Sequence, residues 1–197
     1  MSQKEAVRQR GRPAAASRED VIEAGLYRYL RGRRVDVQAI AAEIGVGRAT
    51  VYRWFGSRDN LIGEVVIRAT EPVLEEARAG LEGKGGPGLL DTFDRFNRAL
   101  ADAPALRAFV EQERDAALRL IASGAGIVQP RIVELITALI IEEVEGGTYE
   151  PPVEPAILGY AIVKLAQAFL FNDTVAGIRG DVDRLREVEA ALLGVPA

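Results

Sequence analysis

The sequence predicts an all-α protein, a small N-terminal helical unit followed by a larger helical body, and three observations carry that prediction. Apolar residues recur at spacings of three and four in one segment after another, each segment bounded by Gly or Pro. The composition is 48% hydrophobic but only 6% aromatic, with Ala, Leu and Val supplying most of the apolar side chains. That mixture suits packed helices better than a β-sandwich. No stretch alternates convincingly as a strand would. At 197 residues the chain is long enough to bury a substantial core.

Taken in order, residues 1–16 carry Lys4, Arg8, Arg10 and Arg12 among Gln, Gly, Pro and Ala, and read as a mobile basic arm. Ser17 with Asp20 forms a capping-box-like start to a first helix. Val21, Ile22, Gly25, Leu26 and Tyr29 mark its face, and Arg31-Gly32 ends it. Asp36 caps a short helix from Val37 to Ile44 that Gly45 closes. A third helix spans about Arg48 to Phe55, and Ser57 caps a fourth from Arg58. Pro72 implies a kink or restart there. Gly83 to Gly88 reads as a loop; it lacks the G-K-[ST] order of a phosphate loop, and no strand precedes it. Helical patterns then cover about 88–102, 104–123, 129–145, 154–175 and 181–193.

What the chain lacks narrows its chemistry. It has no Cys and no His. That removes disulfides, thiol nucleophiles, imidazole bases and the usual zinc or copper ligands, so no metal and no cofactor is expected. The four serines, Ser2, Ser17, Ser57 and Ser123, sit in no nucleophile elbow. No catalytic residue is assigned, and an enzyme is not expected. The polar, basic N-terminus has no apolar segment of a secretory signal. Lys164 and Gln167 interrupt the best candidate for a membrane span. The expected location is the cytoplasm.

The net charge of −4 conceals an asymmetry. Residues 1–60 hold 12 Lys/Arg and 7 Asp/Glu, or +5, whereas residues 61–197 hold 13 and 22, or −9. A basic front on an acidic body suits contact with a polyanion, although charge alone does not decide it.

The spacing in residues 37–56 does more. Ala41 is small where a second helix must approach, and Gly45 gives the turn a permissive backbone. Ile40, Ile44, Val46, Val51 and Phe55 can bury together against the first helix. Ala49 and Arg53 then point outward, flanked by Thr50 and Tyr52, a face suited to the major groove. An ordinary helical hairpin with a polar outer face is the bland alternative. The run from Ile40 to Phe55, continued by Ser57-Arg58-Asp59-Asn60-Leu61, resembles the recognition segment of the TetR family of transcriptional regulators. The resemblance covers roughly residues 17–62. It implies a three-helix DNA-binding domain with a helix-turn-helix, then a helical ligand-binding and dimerisation domain over 63–197, acting as a homodimer on operator DNA.

By that resemblance Arg48, Ala49, Thr50, Tyr52, Arg53 and Trp54 are expected to meet DNA, and Arg58 stands where a Lys usually meets phosphate. Gly47 departs from the usual Ser, which weakens the helix cap. Asp36 departs from the usual Thr and would repel a phosphate, so it is left out. Arg10-Gly11-Arg12-Pro13 resembles an AT-hook, with Arg10 and Arg12 laid along a narrow minor groove as an auxiliary grip.

In the body, residues 154–175 are apolar nearly all round, and residues 181–193 are amphipathic. Together they can form half of a symmetric four-helix dimer interface. A small apolar effector is expected in a pocket drawn from Phe93, Phe96, Asn97, Phe109, Arg114, Leu118, Ile136, Ile140, Tyr160, Lys164 and Asn172. Glu142, Glu143 and Glu145 read as a solvated charged face. Phe109 to Asp115 and Gly124-Ala125-Gly126 resemble the QsdR-type members of the family, which implies a lactone effector. The expected function is a repressor released from palindromic DNA by that effector. An activator or constitutive DNA-binding protein is the alternative, and an enzyme on the helical body a more distant one.

Overall fold

The computed structural model describes residues 16–122, 126–171 and 181–197. Among them are ten α-helices and no strand. The first three, α1 (Arg18–Leu30), α2 (Val37–Ile44) and α3 (Arg48–Phe55), form the N-terminal module. A long helix, α4 (Arg58–Ala77), leads into the body. The body comprises α5 (Gly85–Asp102), α6 (Pro104–Gln112), α7 (Arg114–Ala117), a π-helical turn over Leu118–Ala122, α8 (Val128–Glu145), α9 (Pro155–Phe171) and α10 (Val182–Leu193).

Local signals set the helix starts. Ser17 Oγ accepts from the Asp20 backbone N–H, while the Asp20 carboxylate accepts from the Ser17 backbone N–H at 2.6 Å, completing the capping box. Asp36 accepts from the Ala39 N–H at 2.8 Å to open α2. Gly45 closes α2 with φ of 75°, a left-handed conformation that Gly reaches without a Cβ penalty. Val21, Ile40, Val51, Leu61, Ile62 and Val65 are almost fully buried in the module's core. Each contributes about 1.5–3 kcal/mol by leaving water. Gly25 allows α1 to cross α4 closely, since a Cβ there would lie 2.7 Å from the Val65 methyl.

The structure corrects four expectations. Pro72 lies inside α4, which continues through it to Ala77 without restarting. Pro72 and Arg68 are exposed, so water can solvate the Arg68 carbonyl that the missing N–H leaves free. The Gly83–Gly88 stretch is not all loop, because α5 already begins at Gly85. Its start is capped from across the fold: the Glu143 carboxylate accepts from the backbone N–H groups of Gly83 at 3.2 Å and Gly85 at 2.6 Å, and from Thr148 Oγ1 at 2.7 Å. Glu143 is therefore buried, at 4% exposure, and not part of a solvated face. Finally, the helix expected over 104–123 breaks at Glu113, whose backbone (φ −135°, ψ 49°) is not helical.

Two apolar clusters result. One joins the N-terminal module to α6, α7 and the start of α8, with the Tyr29 and Phe109 rings meeting edge to face at 6.1 Å. The other fills the body between α5, α8, α9 and α10. The module is thus packed onto the body rather than tethered to it.

Candidate nucleic-acid interface and effector cavity

On α3, Val51 and Phe55 face inward at 1% and 5% exposure. The opposite side carries Arg48, Ala49, Tyr52 and Arg53, all exposed, with Thr50 half-buried at its edge. Gly47 caps the helix without a side-chain hydrogen bond, so the first amides of α3 remain open to an anion. Trp54 is half-buried against the module's core. Residues 1–15, with Arg10 and Arg12, lie outside the described residues.

The arginines around α3 are disposed very differently. Arg18 pairs with Glu64, Arg28 with Glu43, and Arg34 with Glu113. Among the described residues, Arg48 and Arg53 have no carboxylate partner. Arg58, expected at a phosphate, is half-buried and bonded within the molecule. Its Nε donates to the Val35 carbonyl at 3.0 Å, and its terminal nitrogen lies 2.7 Å from the Glu113 carboxylate. Next to it, Asp59 meets Arg119 at 3.1 Å. The N-terminus of α4 is thereby tied twice to the segment that leads from α6 into the π-helical turn.

That turn ends at a cavity in the body of about 60 Å³. Val66 and Thr70 of α4, Phe93, Phe96, Asn97 and Leu100 of α5, Leu106 of α6 and Ile121 of the π-helical turn line one part of it. Val128, Gln129, Ile132 and Ile136 of α8, six residues of α9 and Glu189 of α10 complete the wall. Leu100, Leu106, Leu170 and Phe171 are shared with an adjoining cleft of about 290 Å³. The inner cavity is smaller than the roughly 150 Å³ that holds benzene in an engineered core, so any larger guest must move its walls.

Its polar groups are few. Gln167 donates to the Ile121 carbonyl at 2.6 Å, and Lys164, just behind the wall, donates to Gln129 at 3.0 Å and Gln167 at 3.3 Å. Glu189 is fully buried and accepts from Asn97 Nδ2 at 2.9 Å through Oε1. Among the described residues its Oε2 has no hydrogen-bond partner. Burial pushes the Glu189 carboxyl up to about 8. The Asn97 hydrogen bond works against that rise, Asp94 adds to it and Arg186 opposes it. Burial thus favours the uncharged form at neutral pH.

Of the residues expected to form a pocket, Phe93, Phe96, Asn97 and Ile136 come together on its wall. Lys164 stands one layer behind. Phe109 packs on Tyr29, and Ile140 is buried in the body core. Arg114, Leu118 and Tyr160 are exposed, and Asn172 lies outside the described residues. Sequence reasoning missed Gln129, Gln167 and Glu189. A signal for Glu189 existed: it stands four residues after Leu185 and four before Leu193, on the apolar stripe of α10.

An exposed recognition helix, a long helix running from it into a helical body, and an apolar cavity touching that helix define a class: DNA-binding transcriptional regulators with the fold of ligand-responsive repressors. The chain belongs to the TetR family. Residues 29–65 match the model for bacterial regulatory proteins of the tetR family, and residues 84–194 match the tetracyclin repressor-like C-terminal domain. Among solved structures the chain is similar to the transcriptional repressor QsdR of R. erythropolis, at 28% identity over 91% of this chain and 95% of that one, with a TM-score of 0.82. The fatty acid degradation regulator FadR of Bacillus halodurans shares the fold at 15% identity, covering 92% and 100%, with a TM-score of 0.50. No curated protein matches the chain in sequence. Among the described residues no helix is long and apolar enough to cross a membrane.

Proposed function

We propose that the protein is a repressor that binds palindromic operator DNA as a homodimer in the cytoplasm and releases it when a small, mainly apolar effector fills the body cavity. The observation that carries this reading is the disposition of arginines. Arg18, Arg28, Arg34 and Arg58 are spent on carboxylates of the protein, whereas Arg48 and Arg53 on α3 are not. Their charge is available to phosphates and base edges, together with Tyr52, Thr50 and the arm arginines Arg10 and Arg12. Residues 17–62 form the DNA-binding unit in this reading and residues 63–197 the sensing and dimerising one.

The dimer forms through α9 and α10. Ile157 is 57% exposed and Tyr160 50% exposed on α9, and Val188 is exposed on α10. Covering such a face twice, once in each copy, suits a two-fold interface that places two α3 helices on successive half-sites. A lactone, an apolar molecule with a small polar end, matches the chemistry of the cavity wall and needs the walls to move to admit it. Its entry displaces Val66 and Thr70 and so shifts α4, which carries the N-terminal module.

A gel shift across the promoters flanking the gene tests the reading. Expected is salt-sensitive, sequence-specific binding that is lost when the effector is added. Binding with no salt dependence, or none under any condition, overturns it. Reporter output that falls on deletion of the gene would make the protein an activator.

A further inference from the structure

The buried carboxyl in the cavity identifies what the effector must carry. Glu189 Oε1 accepts from Asn97, which leaves Oε2 to hold the carboxyl proton. Among the described residues no acceptor meets the buried Oε2, and Glu189 is one of the few polar residues lining a cavity that is otherwise mostly apolar. A buried donor without an acceptor costs about 1–3 kcal/mol, so whatever supplies that acceptor binds with a corresponding gain.

Building on the effector-responsive reading above, we infer that Glu189, held by Asn97, is the polar anchor of the cavity and selects an uncharged effector bearing a carbonyl oxygen. A ketone, ester, lactone or amide oxygen accepts the Oε2–H bond while the rest of the molecule lies against Phe93, Phe96, Ile136 and Ile162. Among the described residues that line the cavity there is no cation to meet a carboxylate ligand. An amine would have to be desolvated and to take the proton from Glu189, exchanging two neutral groups for a buried ion pair.

The surroundings of Glu189 support its uncharged form. On α5 the nearby charged group is Asp94, which disfavours ionisation. On α10 it is Arg186, which favours it less strongly and is itself engaged with Asp91 and Asp94. The residues of α9 that share the cavity wall with Glu189 are apolar apart from Gln167, and Lys164 is turned to Gln129 and Gln167.

Calorimetric titration of the full chain with three matched probes, 2-nonanone, 2-aminononane and nonanoate, tests the anchor at about pH 6.5 and about pH 9.5, on either side of the ionisation of Glu189. Expected is that the ketone binds best at the lower pH and weakens about tenfold or more at the higher one. Glu189→Gln, whose amide still donates, keeps ketone binding and loses the pH dependence. Glu189→Leu weakens it about tenfold at the lower pH. Preference for the amine or the carboxylate at the lower pH overturns the inference. So does ketone binding that neither pH nor Glu189→Leu alters, or no ketone binding at all. If the ketone binds through Glu189 but leaves operator binding unchanged, the anchor stands and the repressor reading fails.

Discussion

On α3 of the N-terminal module Arg48 and Arg53 stand outside with no carboxylate partner among the described residues, while the body buries two carboxyls against α5. The contrast within the body is sharper still. At the start of α5 Glu143 accepts from two backbone amides and a hydroxyl. Further along α5, beside Asn97, Glu189 of α10 has one partner and, among the described residues, one bare oxygen. A carboxyl whose bonds are complete is part of the fold. One whose bonds are incomplete, beside a cavity, is open to a partner that the described residues do not supply. Burial alone does not separate the two, since both are under 5% exposed; the count of partners does.

Removing each carboxyl should therefore act in opposite directions. Glu143→Ala leaves the buried amide of Gly85 unmatched, while the exposed Gly83 amide can turn to water, and is expected to cost on the order of 2–4 kcal/mol in denaturant unfolding. A loss below about 1 kcal/mol would show that water replaces the carboxylate and that the contrast with Glu189 is false.

Glu189→Gln should stabilise, and only within a window of pH. The folded carboxyl holds its proton up to about 8, whereas an unperturbed one releases it near 4.5. Between those values the unfolded chain binds fewer protons, so stability falls by roughly 1.4 kcal/mol per pH unit as pH rises. The deficit accumulated by neutral pH is on the order of 3 kcal/mol. The glutamine has no such slope. Thermal unfolding should show the variant above the parent near neutrality and nearly level with it around the lower limit. An equal gain at both would mean that Glu189 is not neutral in the fold.

These two carboxyls also mark how far the sequence can be read. The helix-turn-helix was legible because its signals are local: Gly45 at the turn, and Val51 and Phe55 four apart on α3. The family's position for α3 places Tyr52 and Arg53 outside, and the packing agrees. The roles of Glu143 and Glu189 depend on partners 58 and 92 residues away, and no periodicity encodes such pairings. For the same reason Phe93 and Phe109 look alike in sequence, yet one lines the cavity and the other fills the contact with Tyr29. Apolar character specifies burial; whether the neighbour is a wall or a void is settled by packing.

On the outer side of the comparison, Arg53→Ala should weaken operator binding about ten- to a hundredfold, about 1–3 kcal/mol, with the unfolding curve nearly unchanged because Arg53 is exposed and has no carboxylate partner among the described residues. Fluorescence anisotropy with labelled operator measures it. A variant that loses stability instead would place Arg53 among the structural arginines.

The smallest expected effect lies where the two regions meet. Arg58 sits at a family phosphate-contact position, but its guanidinium is bound to Val35 and Glu113. If it is a strut, Arg58→Gln and Glu113→Gln should each cost about 1 kcal/mol of stability, since the pair is partly shielded and only modestly strong. The double variant should cost little more than either single one, giving a coupling of similar size in a double-mutant cycle. A strut makes no contact with DNA, so Arg58→Gln should leave the salt dependence of operator binding as it was. A phosphate contact would instead reduce the slope of log affinity against log salt by about 0.9. The slope is the decisive measurement, because either role predicts some loss of affinity. Only a strut loses it without releasing a counterion fewer.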